Sequence, residues 1–354
     1  MELAAGHLTY CTNIHAGESW ADHFTALQQN FPQVKAQISP NKPMGIGLRL
    51  SNQASIEILL GDNLQQFQQW LQQTGAYVFT MNGFPYGGFH HTVVKDQVHA
   101  PDWTTTDRLA YTLRLFRILS ALLPEGMEGG ISTSPLSYKH WFDTGNEMEQ
   151  AKLAGTKNIV LIAEELNLLY QQTGFLMHLD IEPEPDGVLE TGREFIDWYE
   201  TELIPQGILH FAEKLGLGSG EAEKLLKRHI NLCYDVCHFA IGYEPHQDII
   251  DELAEKGIST GKIQISAALK ASFDGADKQA ILDEFARFDE PTYLHQVIAR
   301  RANGELARYP DLTDALLLAD DASEWRAHFH VPIFLDDFGL LRSTRSDIET
   351  VLEI

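Results

Sequence analysis

Apolar and polar positions along this 354-residue chain switch repeatedly between two periods. Short apolar or alternating runs have the pattern of strands. Each is followed by a stretch in which apolar residues recur at helical spacing. Strands are predicted at Thr9 to Asn13, Gly45 to Leu50, Tyr77 to Met81, Gly129 to Ser134, Phe175 to Glu182, Ile230 to Asp235, Lys262 to Ser266 and Ala327 to Phe334. Ser19 is a plausible N-cap for a helix opening at Trp20. Further helices are predicted over Asn63 to Gln73, Asp107 to Leu123, about Glu147 to Gln172, Arg193 to Leu215, Asp248 to Lys256 and Arg345 to Leu352. In the second of these, Leu109, Leu113, Phe116 and Leu119 to Leu122 share one face.

Strands that alternate with helices imply a mostly parallel sheet. Eight such units, over a chain somewhat longer than the usual ~250 residues, predict a (β/α)8 TIM barrel with insertions. The interval from Pro291 to Leu312 departs from that rhythm. Thr292 to Ala299 is β-like, Asn303-Gly304 is a turn signal, and Leu306 to Tyr309 makes a returning strand, so a hairpin is expected near 291–310. An open doubly wound sheet is the alternative, but no G-x-G-x-x-G follows the first strand and no Walker loop is present. Without a repeat, a low-complexity tract or a linker, residues 1–354 are expected to form a single domain.

Hydrophobic content of 44% and charged content of 21% fit a folded globular chain. The net charge of −24 argues against nucleic acid and against anionic membranes as partners. Apolar runs such as Ala121-Leu122-Leu123 are far too short for direct membrane insertion. The three cysteines, Cys11, Cys233 and Cys237, lie in or beside strand-like runs and have the character of small buried hydrophobes. Their odd number offers no disulfide framework, and the N-terminus lacks the pattern of a signal peptide, so a cytoplasmic location is expected.

The stretch from Leu176 to Glu184 carries most of the chemistry. His178, Asp180 and Glu182 alternate with Met177, Leu179 and Ile181. The apolar set needs a core, so the titratable set must face a polar site. A second run, Asn231 to His238, ends in Asp-x-x-His. In a barrel the site lies at the C-terminal rim of the strands, where His15, Asn82, Ser132, Glu182, Asp235, Gln264, His328 and His330 would stand. Mixed carboxylate and imidazole donors suit a divalent metal, Mn2+ or Zn2+. The predicted ligands are Glu182, Asp235, Gln264 and His330, the last preferred to His328 as closer to the rim. Glu182 and His238 are the predicted proton-transferring residues. The loop Asn82 to His91 could close over a ligand with Phe84, Tyr86 and Phe89, and His15, Asn82, His90 and Lys270 are the expected substrate contacts. Pro183-Glu184-Pro185 stiffens the loop after Glu182, and Glu190 either reaches back to the site or starts the next helix. Each residue also has a plainer role: a strand-end Asp caps a helix, a His pairs with a buried carboxylate, a glycine-rich loop packs on itself.

On these residues the chain resembles the xylose-isomerase-like TIM barrels, the superfamily of sugar isomerases, sugar epimerases and endonuclease IV. Glu182-Pro183 and Asp235-Val236-Cys237-His238 carry the likeness. It implies that the Glu and the Asp bind a metal and that the His touches substrate. Gln264 stands where many members have a metal-binding His, and Lys270 where a substrate-binding Arg can sit. His328 and His330 stand where the last ligand is commonly a Glu. More narrowly, Tyr10 to Trp20, Asn82 to Gly87, Tyr293 to Gln296 and His328 to Pro332 resemble the EboE family of metabolite traffic proteins. That family is encoded in bacterial operons linked to moving a small-molecule precursor towards the cell envelope. The resemblance implies a small-molecule metabolite and partners among the proteins of the same operon, including a membrane protein. Two functions follow: a metal-dependent isomerase- or epimerase-like enzyme acting on a small sugar- or polyol-like metabolite, or a non-catalytic carrier that hands such a molecule to a membrane partner. The charge balance disfavours an endonuclease-like role.

Overall fold

Seven of the apolar runs become parallel strands in the computed structural model, which describes residues 1–3, 6–88, 94–275, 277–318 and 321–354. These are β1 (Thr9–Cys11), β2 (Met44–Arg49), β3 (Ala76–Asn82), β4 (Gly129–Thr133), β5 (Met177–Ile181), β6 (Ile230–Asp235) and β7 (Thr260–Gln264). They pair in chain order, so each helix that follows a strand crosses over to the next one. β2, β4, β5 and β6 are buried along their whole length, as strands covered on both faces must be. The sheet curls. Lys262 on β7 reaches across the interior to donate a 3.0 Å hydrogen bond to Ser132 on β4. The curl does not close: among the described residues β1 and β7 end the sheet and do not pair with each other.

The helices cover this sheet. Ser19 does cap the helix Trp20–Ile38, in a capping box with Asp22, and Thr144 with Glu147 does the same for Gly145–Thr173. The single helix predicted from Arg193 to Leu215 is broken by a wider π-helical turn over Tyr199–Leu203. Pro205 follows directly; it lacks the amide proton and crowds the preceding turn, which the wider turn absorbs. An additional helix, Ser219–His229, buries Ala222, Leu225, Leu226 and His229, a helical stripe in a segment where no element was expected. No helix among the described residues is long and apolar enough to cross a membrane.

The expected eighth barrel strand over Ala327 to Phe334 is corrected. The strand in this region is β11 (Ala322–Ala327), and it joins an antiparallel sheet with β8 (Leu269–Ser272), β9 (Val297–Arg301), β10 (Leu306–Tyr309), β12 (Asp337–Phe338) and β13 (Leu341–Ser343). Their order is β10-β9-β11-β8-β13-β12. Past Ala327 the backbone bonds become irregular: His328 N–H donates to Gln296 O, Phe329 to Ala327 O and Val331 to Ala267 O, and Pro332 has no proton to donate. The hairpin predicted near 291–310 exists as β9 and β10, paired from Val297 with Tyr309 to Arg300 with Leu306. It is the outer pair of this second sheet rather than an insert between two barrel strands. Gly304 turns it with φ of 86°, a value that favours glycine. Trp325 on β11 is fully buried between Phe273 and Phe285, with ring centroids 5.4 and 5.7 Å away.

Candidate metal centre

The inward face of β5 sets up the interior. His178 and Asp180 form a buried pair, with Nδ1 2.6 Å from Oδ1. They fit because glycines on the adjacent β4 and on β7 leave room for them. A Cβ on Gly261 would lie 2.0 Å from Asp180 Oδ1, and one on Gly130 would lie 2.4 Å from His178 Cε1. The next inward residue, Glu182, stands just past the C-terminal end of β5, where Asp235 ends β6 and Gln264 ends β7.

Three of the four predicted ligands therefore meet. Gln264 Nε2 donates to Glu182 Oε1 at 2.5 Å and to Asp235 Oδ2 at 3.1 Å, bridging the two carboxylates. Burial and the neighbouring Asp235 push Glu182 up to about 8. Burial works to raise Asp235 as well. His238, His330 and a 2.5 Å hydrogen bond from Ser266 outweigh it and hold that carboxyl below its usual range. Asp235 also caps the helix Val236–Ile241, accepting from Cys237 N–H at 2.9 Å. The capping role and the site role thus fall on the same residue.

The fourth predicted ligand arrives from the second sheet. The segment after β11 lays His328 and His330 over the end of β6, with His238 edge-on to both rings at centroid distances of 4.8 and 5.8 Å. One donor atom each from Asp235, His238 and His330 lie within 4.8 Å of one another. A second set, Cys237, His328 and His330, meets the same limit. Asp235 and His238 are buried, whereas His330 is exposed, so the centre has a dry floor and a wet rim.

Hydrogen bonds select the imidazole tautomers. His238 Nδ1 lies 2.9 Å from Pro183 O and must donate to it, which leaves Nε2 with a free lone pair. That Nε2 is 4.0 Å from Asp235 Oδ2. Gln296 Nε2 donates to Pro185 O at 3.1 Å, which turns its Oε1 towards His328 Nδ1 at 2.8 Å. His328 Nδ1 is thus the protonated nitrogen, and its Nε2 faces His330 Nε2 at 3.3 Å. Burial holds both His238 and His328 below the ordinary imidazole value, so both are neutral bases at pH 7. The Pro183-Glu184-Pro185 loop therefore fixes both imidazoles through its proline carbonyls. Glu184 between them is buried 3.2 Å from His99, and burial and then Glu182 push its carboxyl well up.

Other predicted residues have partners outside the donor sets. Lys270 is in β8, paired with Arg326 and Arg342, and its charge acts on Asp347 rather than on the centre. Asn82 uses Oδ1 to accept from Phe84 N–H at 3.0 Å. His15 packs edge-on to Tyr10, and burial lowers its imidazole. In the proposed lid, Phe84 packs on His99 and Tyr86 on Tyr111, while the buried Arg108 donates to the carbonyls of Gly83 and Phe84. Phe89 and His90 lie outside the described residues. Glu190 does not reach the site; it pairs with Lys139 and, at 2.7 Å, with Arg308. Cys237 and Gln296 were not expected at the centre. Cys237 was legible within Asp235-Val236-Cys237-His238, whereas Gln296 stood in the Tyr293-to-Gln296 motif with nothing to tie that distant segment to the centre.

No family model and no curated protein matches this sequence. Among solved structures the chain is similar to the IolI protein, crystallised with a bound zinc atom, at 11% identity over 68% of this chain and 67% of that one, with a TM-score of 0.36. It is similar to SacUVDE at 12% identity over 77% of this chain and 80% of that one, with a TM-score of 0.35. Both scores are below 0.5, and neither likeness bears on the chemistry of the centre.

Proposed function

We propose that this chain is a metal-dependent enzyme of the xylose-isomerase-like kind, acting on a small sugar- or polyol-like metabolite at the C-terminal ends of β5, β6 and β7. The observation that carries the proposal is the convergence of Asp235, His238 and His330, whose donor atoms lie within 4.8 Å of one another. The donor set suits Mn2+ or Zn2+: one carboxylate oxygen and two nitrogens, with the amide of Gln264 and the carboxyl of Glu182 alongside. Two buried carboxyls facing each other also give a cation an electrostatic reason to bind. A divalent ion held there would polarise the adjacent oxygens of a polyol or carbonyl compound.

The chain's own residues would do the rest. In the metal-free chain burial and Asp235 push Glu182 up to about 8, which marks its carboxyl as the group to give or take a proton near neutrality. His238, whose Nδ1 donates to Pro183 O, would hold the ion through Nε2 in a fixed orientation, so proton transfer falls to Glu182. The EboE-like motifs support a metabolite moved towards the cell envelope with the help of proteins of the same operon, one of them in the membrane. They also keep a carrier role as the alternative.

Metal analysis of the purified protein tests the proposal. The wild-type chain should hold Mn2+ after loading, and Asp235→Ala and His330→Ala should lose it. A wild-type protein that holds none after loading with Mn2+ or Zn2+ overturns the proposal. Incubating the loaded protein with small aldoses, ketoses and polyols then separates the two roles: conversion supports the enzyme, and recovery of a bound compound unchanged supports the carrier.

A further inference from the structure

We propose a second metal seat beside this centre, formed by Cys237, His328 and His330, which takes a thiophilic ion such as Zn2+ or Cd2+. It shares His330 with the proposed centre but takes no ligand from Asp235 or His238. Cys237 Sγ and one nitrogen from each of His328 and His330 lie within 4.8 Å of one another.

Two details of geometry separate this set from a chance cluster. The Nε2 atoms of His328 and His330 are 3.3 Å apart. Two nitrogens each about 2.0–2.1 Å from a tetrahedral zinc stand roughly 3.3 Å from one another, so the imidazoles already have the spacing of a shared ion. The tautomer is also fixed from outside. Pro185 O orients Gln296, Gln296 Oε1 takes the Nδ1 proton of His328, and the Nε2 lone pair is aimed at the gap. A carbonyl or amide behind a ligating imidazole is the usual outer support of a metal site.

Cys237 is held as firmly. Its N–H donates to Asp235 Oδ1 at 2.9 Å and to Ser266 Oγ at 3.0 Å, and its side chain is buried against Ile241, Ala268 and Ile298. Binding would replace the S–H bond with an S–metal bond and release that proton to solvent. Thiolate with two imidazoles selects Zn2+ or Cd2+ over Mn2+, whereas the Asp235 set is the harder of the two.

The test is a Cd2+ titration of the full-length, chelator-stripped protein, followed by the ultraviolet charge-transfer absorption of a cadmium thiolate. The wild type should develop that absorption. Cys237→Ser should lack it while keeping Mn2+ binding, and Gln296→Ala, which removes the outer support of His328, should bind Cd2+ about 10–100-fold more weakly. Asp235→Asn should keep the absorption while losing Mn2+. No absorption in the wild type overturns the second seat without reference to any variant, as does absorption that persists in Cys237→Ser. Absent Mn2+ binding with the cadmium absorption intact would instead sink the Asp235 centre and leave this one standing.

Discussion

Asp180 is fully buried with His178 as its close ionic partner, and two glycines make the space for that pair. Gly261→Ala should therefore cost more than an ordinary overpacking change of about 1–3 kcal/mol, because a methyl group 2.0 Å from a carboxylate oxygen must displace a buried ion pair. Urea denaturation of the variant checks this. A second prediction concerns Glu182. In the unfolded chain its carboxyl ionises near its ordinary 4.5, while the folded, metal-stripped protein keeps the proton to about 8. Between those values the folded state binds more protons, so stability falls as pH rises. The depressed Asp235 acts in the opposite sense, at lower pH. Below about pH 6.5 the buried imidazoles of His238 and His328, held under their ordinary 6.5, oppose this trend, so the urea midpoint of chelated protein should decline between about pH 6.5 and about pH 8, and less steeply in Glu182→Gln. Glu184 and Glu244, both raised by burial, leave the variant with a residual decline. At this scale the sequence was informative where donors end apolar strands, as with Glu182, Asp235 and Gln264. It was silent where a donor depends on a bond from a distant segment, as His328 depends on Gln296.

Among the elements, the second sheet brings two imidazoles to the ends of the first. Its buried anchor is Trp325 on β11, three residues before His328. Trp325→Ala should destabilise by about 3–5 kcal/mol and weaken divalent-ion binding, although no atom of Trp325 belongs to either donor set. Isothermal titration with Mn2+, alongside circular dichroism to follow the fold, checks this. β2, β4, β5 and β6 were legible because strands buried on both faces show as apolar runs flanked by helical periods, whereas the partly exposed β7 was placed two residues late, at Lys262 rather than Thr260. The eighth was misplaced for a physical reason. Phe329, Val331 and Ile333 alternate with polar residues just as a half-buried strand does, yet Pro332 and the bonds from His328, Phe329 and Val331 take that backbone out of any ladder. β11 itself was hidden in Ala322-Ser323-Glu324-Trp325-Arg326-Ala327, whose outward polar residues mask the buried positions.

For the whole molecule, the charge of −24 should draw divalent cations towards the rim. Stopped-flow association of Mn2+ should slow as NaCl rises from about 0.01 M to about 0.15 M, across which the screening length falls from about 30 to about 8 Å. An association rate indifferent to salt would mean that the field of the chain does not reach the mouth. The same charge that disfavoured nucleic acid in the sequence thus acquires a role in the folded molecule, one that composition alone does not reveal. The loop from Glu182 to Pro185 has a consequence of its own. Because its two proline carbonyls orient His238 directly and His328 through Gln296, donors on separate elements answer to one short stretch of backbone. Disturbances of the two imidazoles should not add: once that stretch has shifted, a second lesion has little left to undo, and a double-mutant cycle would read the two histidines as one cooperative unit.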